Sequence, residues 1–403
     1  MPHGNPSLLA GHQLQLLEGS GELFPAMIAA IDAAEREVRL ETYIFDFTGS
    51  SVEVAYALER AARRGVDVMV LVDGFGCPSV PGPWADRLHQ AGVQWETFSP
   101  LGRLGLLWPG QWRRLHRKLC VVDGAVGFCG GINVLDDLHD PNHGSLLAPR
   151  LDFALRVTGP LVRDMLATMT RQWRRQVAVD RLRHAQLTGA LESLREGSHL
   201  RRQRPFPDAG PRAKAALLLR DNLRNRARIE HAYLRAIGRA REEVVIANAY
   251  FVPGRKLRRA LVQAARRGVR VCLLLQGRYE YFMQYYASRP VFGALLRAGV
   301  EIYEYSPSFL HAKVAVVDGH WATLGSSNLD PLSLLLAREA NVVVDDPVFA
   351  GRLHTRLAQA MQLAGRRMDP AEYESRPGGQ RVKEWLALVV MRIALLVQGK
   401  KYL

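Results

Sequence analysis

Cysteine is scarce in this chain: Cys77, Cys120, Cys129 and Cys272 are the only four among 403 residues. They form no CxxC pair, so no disulfide framework is expected, and they read as small apolar core residues in a reducing, cytoplasmic setting. Long hydrophobic runs are also missing. Nothing reaches about 18 consecutive apolar residues, so no helix is expected to span a bilayer. The opening MPHGNPSLLAGHQLQLLEG lacks a positive region followed by a sustained apolar one, so no signal peptide is expected. Acidic residues are few beside basic ones, 39 against 54, which leaves a net charge of +15 and a pI near 10.0. That balance calls for an anionic partner: phosphate, nucleic acid or an acidic lipid surface. What remains is ordinary globular material, 48% hydrophobic and 23% charged, which excludes a disordered or collagen-like chain. At about 150 residues per domain the length suits two domains or one two-lobed body.

An internal repeat organises the chain. AARRGVDVMVLVDGFG at 61–76 recurs as AARRGVRVCLLLQGRY at 264–279, and ETYIFDF at 41–47 is answered by NAYFVP at 248–253. LHQAGVQWETFSP at 88–100 matches LLRAGVEIYEYSP at 295–307, and RLHRKLCVVDG at 114–124 matches FLHAKVAVVDG at 309–319. Each repeat reads as an apolar strand, an amphipathic helix ending in Arg-Arg-Gly, and a strand buried on both faces. The spacing predicts one lobe over 1–173, a basic linker or excursion over 174–215, a second lobe over 216–370, and an amphipathic tail over 371–403.

The chemistry-bearing residues close each repeat. His116, Lys118 and Asp123 in the first, and His311, Lys313 and Asp318 in the second, both fit H-x-K-x4-D. A small-residue stretch follows each, Gly130 and Gly131 leading to Asn133, and Gly325, Ser326 and Ser327 leading to Asn328. On a strand, residues two apart project from one face, so each imidazole stands beside an ammonium. Such pairs suit attack on a phosphodiester: imidazole as nucleophile or general acid, lysine as a compact charge for phosphate oxygens, and the Asn amide as a further donor. No metal or other cofactor is then required. Asp123 and Asp318 each precede Gly, which leaves two readings open, a turn residue or catalytic support. His139 and His143 are four apart, but Pro141 between them argues against a metal-binding helix.

The paired motifs and their Gly/Ser-Asn tails resemble the mark of the phospholipase D superfamily, over nearly the whole chain. The resemblance implies an α/β fold of two similar lobes, each a sheet flanked by helices, related by a pseudo-two-fold with one active site at their interface. It also implies a two-step reaction. One histidine takes the phosphatidyl group as a phosphohistidine; the other protonates the leaving alcohol and then deprotonates the acceptor. His116 is carried over as nucleophile and His311 as acid/base. The superfamily's His-orienting carboxylate falls on Asp152 in LDFALRVTGP and on Glu339 in AREANVVV; the alternative for each is a surface charge on a strand.

The sequence is more similar still to the bacterial cardiolipin synthases, particularly the B type, through QLLEGSGELFPAMIAAI, RRLHRKLCVVDG with GGIN, LLLRDNLRNRARIEHAYLRAI with ANAYFVPGRKL, and HAKVAVVDG with GSSNLDPLS. That resemblance implies that one phosphatidylglycerol donates its phosphatidyl group to the glycerol hydroxyl of a second, releasing glycerol, in a protein held peripherally on the cytoplasmic face of the cell membrane, with nucleic acid not expected as a partner. The stretch from Gly102 to Trp112 and the 174–215 segment match nothing in that family, which leaves the acceptor alcohol open. A hydrolase or nuclease using the same histidines with water is the first alternative, and a non-catalytic lipid-binding protein the second.

Three segments bear on the choice of lipid. LGRLGLLWPGQW, with Leu104, Leu106, Leu107, Trp108 and Trp112, reads either as a loop dipping into a membrane interface or as core. Tyr279, Tyr281, Phe282, Tyr285 and Tyr286 line an acyl channel, stack on bases or pack internally. The apolar run from Trp385 to Val397 is about 20 Å long as a helix, short of a roughly 30 Å bilayer core. With Lys383, Lys400 and Lys401 at its ends it either lies in the interface or packs on the body. The arginines of 171–204 form a solvated face or a contact for anionic head groups.

Overall fold

One order of elements occurs twice along the chain. The computed structural model describes residues 8–100, 113–141, 143–183, 213–221, 225, 227–279, 282–330 and 337–397, and of 282–284 and 392–397 the backbone alone. The first half runs β1 (Leu9–Glu18), α1 (Gly19–Asp32), β2 (Glu37–Thr42), α2 (Val52–Arg63), β3 (Asp67–Asp73), α3 (Gly82–Ala91), β4 (Gln94–Phe98), β5 (Arg114–Leu115), β6 (Leu119–Val122) and β7 (Val126–Gly130). A short ribbon, β8 (His139–Asp140) and β9 (Gly144–Ser145), leads to β10 (Phe153–Thr158) and α4 (Leu161–Arg183). The second half runs β11 (Ala213–Arg220), α5 (Arg228–Arg239), β12 (Glu243–Asn248), α6 (Arg255–Arg266), β13 (Arg270–Gln276), α7 (Phe282–Leu296), β14 (Glu301–Tyr305), β15 (Lys313–Val317), β16 (Trp321–Gly325), β17 (Ala337–Asp345) and α8 (Pro347–Ala364). It ends in β18 (Gly365–Arg367), α9 (Pro370–Glu374) and α10 (Gly378–Val397).

The repeated Arg-Arg-Gly explains how these units hold together. Gly65 (φ 86°) and Gly268 (φ 88°) take the left-handed conformation that ends α2 and α6. The arginine before each glycine reaches back to cap the preceding helix. Arg64 donates from Nη2 to the carbonyls of Ile31 (3.0 Å) and Ala34 (3.4 Å), and Arg267 to those of Ile237 (3.0 Å) and Ala240 (3.4 Å). Carbonyls left over at a helix end are thereby satisfied by a cation placed where the dipole favours it.

The strands make one continuous sheet, in the order β18-β14-β13-β12-β15-β16-β17-β11-β1-β10-β7-β6-β2-β3-β4, with β5 pairing β17 off that path. The order reads alike outward from the β1–β11 junction, as a pseudo-two-fold requires. β2, β3 and β4 are parallel, as are β12, β13 and β14; antiparallel pairs fill the centre. The junction itself is thin, with Leu9 opposite Ala215 and His12 opposite Ala213 across a register shift. Burial rather than backbone pairing binds the halves. One apolar cluster joins Leu155, Leu161 and Met165 of the first to Leu274, Leu310, Phe349 and Leu353 of the second, each fully buried large side chain contributing about 1.5–3 kcal/mol.

The lobe border at 173/174 falls inside α4, which continues through Arg183. Gln172, Gln176 and Ala178 are buried among the arginines there, and Gln176 donates from Nε2 to the Thr97 carbonyl (2.9 Å). Composition alone registered the arginines and not the burial. At the tail, α10 packs on the body through Ala387, Leu388 and Met391, and Arg376 holds the buried Glu384 at 2.7 Å. Its other face leaves Val382, Trp385, Leu386 and Val390 about half exposed. The tail is thus a docked helix with an apolar outer face. No described helix is long and apolar enough to cross a membrane. The 102–112 loop, Tyr281, Lys400 and Lys401 lie outside the described residues, as does the side chain of Phe282. Tyr279, Tyr285 and Tyr286 pack edge to face on one another.

Candidate active site

Each histidine is brought to its place by a backbone contact with the opposite half. The segment at β5 runs parallel to the start of β17, with Arg114 opposite Ala337, Leu115 opposite Arg338, and the His116 N–H donating to the Arg338 carbonyl (3.0 Å). Leu151 bridges Leu310 in the same way, its N–H donating to Phe309 (3.0 Å) while the His311 N–H donates to the Leu151 carbonyl (2.9 Å). One residue further along, these contacts set His116 beside Glu339 and His311 beside Asp152.

The side chains complete that crossing. His116 Nδ1 lies 3.1 Å from a Glu339 carboxylate oxygen, and His311 Nδ1 lies 2.6 Å from Asp152 Oδ2. Both carboxylates are essentially inaccessible to solvent. An Nδ1–H given to a carboxylate leaves the Nε2 lone pair free on each ring. Lys118 donates from Nζ to the His116 carbonyl (2.8 Å), and Lys313 likewise to the His311 carbonyl; Lys313 Nζ also lies 4.0 Å from Asp152. The histidines stand at the entry to β6 and β15 rather than within those strands, Lys313 being the first residue of β15.

Burial and mutual charge tune the cluster. Burial pushes Lys118 down to about 7, and Lys313 adds to that while Glu339 and Asp152 oppose it. Burial lowers both histidines; Lys313, Lys118 and His116 push His311 lower still, well below the usual imidazole range. Burial raises Asp152 to about 6 despite Lys313. Burial also acts to raise Glu339, but His116, Lys118 and a hydrogen bond from Ser326 outweigh it and hold Glu339 below the ordinary carboxylate value. The Ser326 hydroxyl donates to Glu339, whereas Gly131 stands at the matching place in the first half. A Cβ there would lie 2.3 Å from Asp152 Oδ1, so glycine is what lets Asp152 sit where it does.

The remaining sequence candidates divide. Asn133 is buried and accepts from the Ile44 N–H through Oδ1 (3.2 Å); Asn328 is also buried. The catalytic reading of Asp123 and Asp318 is corrected. Each occupies a turn with positive φ, 52° and 49°, at the far end of its strand, five residues or roughly 16 Å from the lysine. The Asp123 carboxylate accepts from the N–H groups of Glu35, Arg36 and Glu37 at 2.9–3.0 Å, and that of Asp318 from Arg241, Glu242 and Glu243 at the same distances. Each ties its turn to the start of a neighbouring strand. Among the described residues, no three His, Cys, Asp or Glu side chains are grouped so as to hold a metal ion.

A family model for the PLD-like domain of cardiolipin synthase matches residues 27–148 and 233–361, one stretch in each half. The chain belongs to the phospholipase D-like cardiolipin synthase family. It is 37% identical over 386 residues to cardiolipin synthase B of Salmonella typhi, covering 95% of this chain and 88% of that protein. With cardiolipin synthase B of Escherichia coli K12 the identity is 36% over the same shares. With cardiolipin synthase A of Pseudomonas syringae it is 31%, covering 90% of this chain and 71% of that one. Among solved structures, a phosphatidylserine synthase of Haemophilus influenzae superposes with a TM-score of 0.71 over 97% of this chain and 96% of its own, at 14% identity, a likeness of fold.

Within this family member, two residues that sequence reasoning passed over also border the cluster. The Tyr43 ring meets His116 edge-on at 5.0 Å, and Lys118 Nζ lies 5.3 Å from the same ring centre. Arg150, paired to Asp140 at 2.7 Å, is among the cations that depress His311. The repeat contained a signal for the first: Tyr43 and Tyr250 occupy matching places in ETYIFDF and NAYFVP.

Proposed function

We propose that the protein is a phosphatidyltransferase that makes cardiolipin from two molecules of phosphatidylglycerol. The observation that carries this reading is the crossed pairing, each histidine being oriented by a carboxylate of the other half within a cluster that also holds two lysines. His116 Nε2 attacks the phosphorus of one phosphatidylglycerol, forming a P–N bond. The bound phosphate brings a negative charge that opposes the burial and the lysines holding His311 low, so that its Nε2 takes up a proton; the P–O bond to glycerol then breaks, and His311 gives that proton to the leaving glycerol. His311, now neutral, takes the proton from the glycerol hydroxyl of the second lipid. That oxygen attacks the phosphohistidine, the P–N bond breaks, and cardiolipin departs. Lys118 and Lys313 offset charge on the non-bridging oxygens as it builds, and Glu339 and Asp152 fix the ring tautomers. Asn133, Asn328 and Ser326 are supporting residues, the two amides toward phosphate and the hydroxyl toward Glu339.

The names of the relatives favour transfer to an alcohol over hydrolysis. The surface favours peripheral binding to the cytoplasmic face of the membrane. The net charge of +15 suits anionic lipid, and Leu138 and Leu147, which flank the β8–β9 ribbon, present exposed apolar side chains together with the outer face of α10. The test is a product assay in EDTA with phosphatidylglycerol vesicles. Cardiolipin and glycerol in equal amounts are expected, with radiolabelled phosphatidyl group trapped on His116. Phosphatidic acid as sole product, or label on no histidine, overturns the reading.

A further inference from the structure

The second half carries a groove for which the first half has no counterpart in charge. It lies between α5 and the β15–β16 turn, with a volume of about 490 Å³. Arg228, His231, Arg235 and Arg239 follow one face of α5 at helical spacing, and Arg241 and His320 continue the line. Beneath them the floor is apolar, formed by Leu8, Val317, Trp321 and Val343. Arg228, Arg235, Arg239 and Arg241 make no side-chain ion pair among the described residues. Of the two carboxylates on the lining, that of Asp318 is occupied by three backbone N–H groups, which leaves Asp345.

The pseudo-two-fold supplies an internal control. α1 takes the place of α5 and contains no lysine or arginine. Glu35 stands where Arg241 does, each donating its N–H to the aspartate of the turn. Ala125 and Val126 stand where His320 and Trp321 do. The fold therefore has no need of these cations, which have been gathered on one half only. Nor do they serve the catalytic cluster, since the turn is at the opposite end of β15 from Lys313, roughly 16 Å away.

We propose that this groove is a second lipid site, binding the phosphate-bearing head group of an anionic glycerophospholipid. Guanidinium groups take the phosphate oxygens, and Trp321 with the aliphatic floor takes the glycerol backbone and first acyl carbons. The choice of a phospholipid among phosphate-bearing ligands rests on the function proposed above.

The test measures sedimentation with phosphatidylglycerol vesicles and with phosphatidylcholine vesicles at physiological salt. R235E/R239E is compared with R259E/R266E, which makes the same charge change on exposed positions of α6 outside the groove. The groove variant is expected to lose roughly tenfold or more in affinity for anionic vesicles, while the α6 variant loses much less. Both should melt as the parent does and turn over a monomeric short-chain phosphatidylglycerol at the parental rate. Equal losses in the two variants, or undiminished binding by the groove variant, overturn the proposal. So does a single-stranded oligonucleotide binding through these arginines while anionic vesicles do not. Failure of the catalytic reading is separately visible, as groove-dependent vesicle binding by a protein that yields no cardiolipin.

Discussion

Asp152, immediately ahead of β10 in the first half, lies 2.6 Å from the Nδ1 of His311 in the second, and Glu339 returns the contact to His116 at 3.1 Å. At the site, neither half supplies both the histidine and the carboxylate of a pair. Because the carboxylate sets the tautomer rather than the shape of the site, Asp152→Asn and Glu339→Gln should each lower kcat by about 10²–10⁴-fold, with melting temperatures near the parental value. A loss under about threefold in either variant removes the orienting role.

Burial brings Lys118 down to about 7. In the free enzyme it surrenders its charge as pH rises through that value, so kcat/KM should fall on the alkaline side of neutrality. Lys118→Arg, whose guanidinium stays charged, should move that limb upward even though its maximum is lower. Lys313→Ala should reduce turnover about 10²–10³-fold through loss of charge stabilisation. An alkaline limb unmoved in Lys118→Arg assigns it to another group.

Asp318 should behave as a structural residue. Three N–H groups hold its carboxyl below the usual range although burial acts to raise it. With the folded value depressed, its contribution is present above the unfolded value of 3.8 and is lost as pH falls through the folded one. Asp318→Ala strands three donors and places alanine at positive φ, costing about 1.5–3 kcal/mol by urea denaturation at pH 7. Asp318→Asn should cost less, because asparagine tolerates that φ. The kcat of the folded variants should stay near the parental value; a hundredfold fall in kcat with unchanged stability restores the catalytic reading.

Asp152 leaves no room for a Cβ at Gly131. Asp152 is pinned by His311 and by the Phe153 N–H (2.8 Å), so it cannot simply swing aside. Gly131→Ala should therefore lower kcat at least as much as Asp152→Asn while the protein still folds. Full activity in that variant shows the carboxylate to be movable.

The outer face of α10 makes a different kind of prediction. Trp385→Glu with Leu386→Glu touches exposed positions only, so stability should be kept. Binding should weaken toward phosphatidylcholine and phosphatidylglycerol vesicles alike, because the lost interaction is apolar. A loss confined to anionic vesicles points to charge instead.

Much of this was legible beforehand. The duplicated H-x-K-x4-D blocks placed His116, Lys118, His311 and Lys313 at matching points of two similar units, and the Arg-Arg-Gly repeats marked helix ends that Arg64 and Arg267 go on to cap. Asp123 and Asp318 were legible only as an ambiguity, since a motif conserved within the repeat is equally consistent with a shared turn and a shared reaction. In the basic stretch after Arg171 the arginines dominate the composition, so the burial of Gln172, Gln176 and Ala178 within α4 is not legible from it.

By itself the order of residues determined the local units: which runs are strands, where helices stop, and which short segments carry imidazole beside ammonium, because those depend on side-chain periodicity and on neighbours within a few positions. Only the tertiary structure decided that Asp152 serves His311 and Glu339 serves His116. That choice is made by the short parallel contacts at Leu115–Arg338 and Leu151–Leu310, between segments more than 150 residues apart, and by the shared apolar cluster that presses the halves together. The low-dielectric setting that shifts Lys118 and Asp152 arises from the same packing, and no local pattern in the chain encodes it.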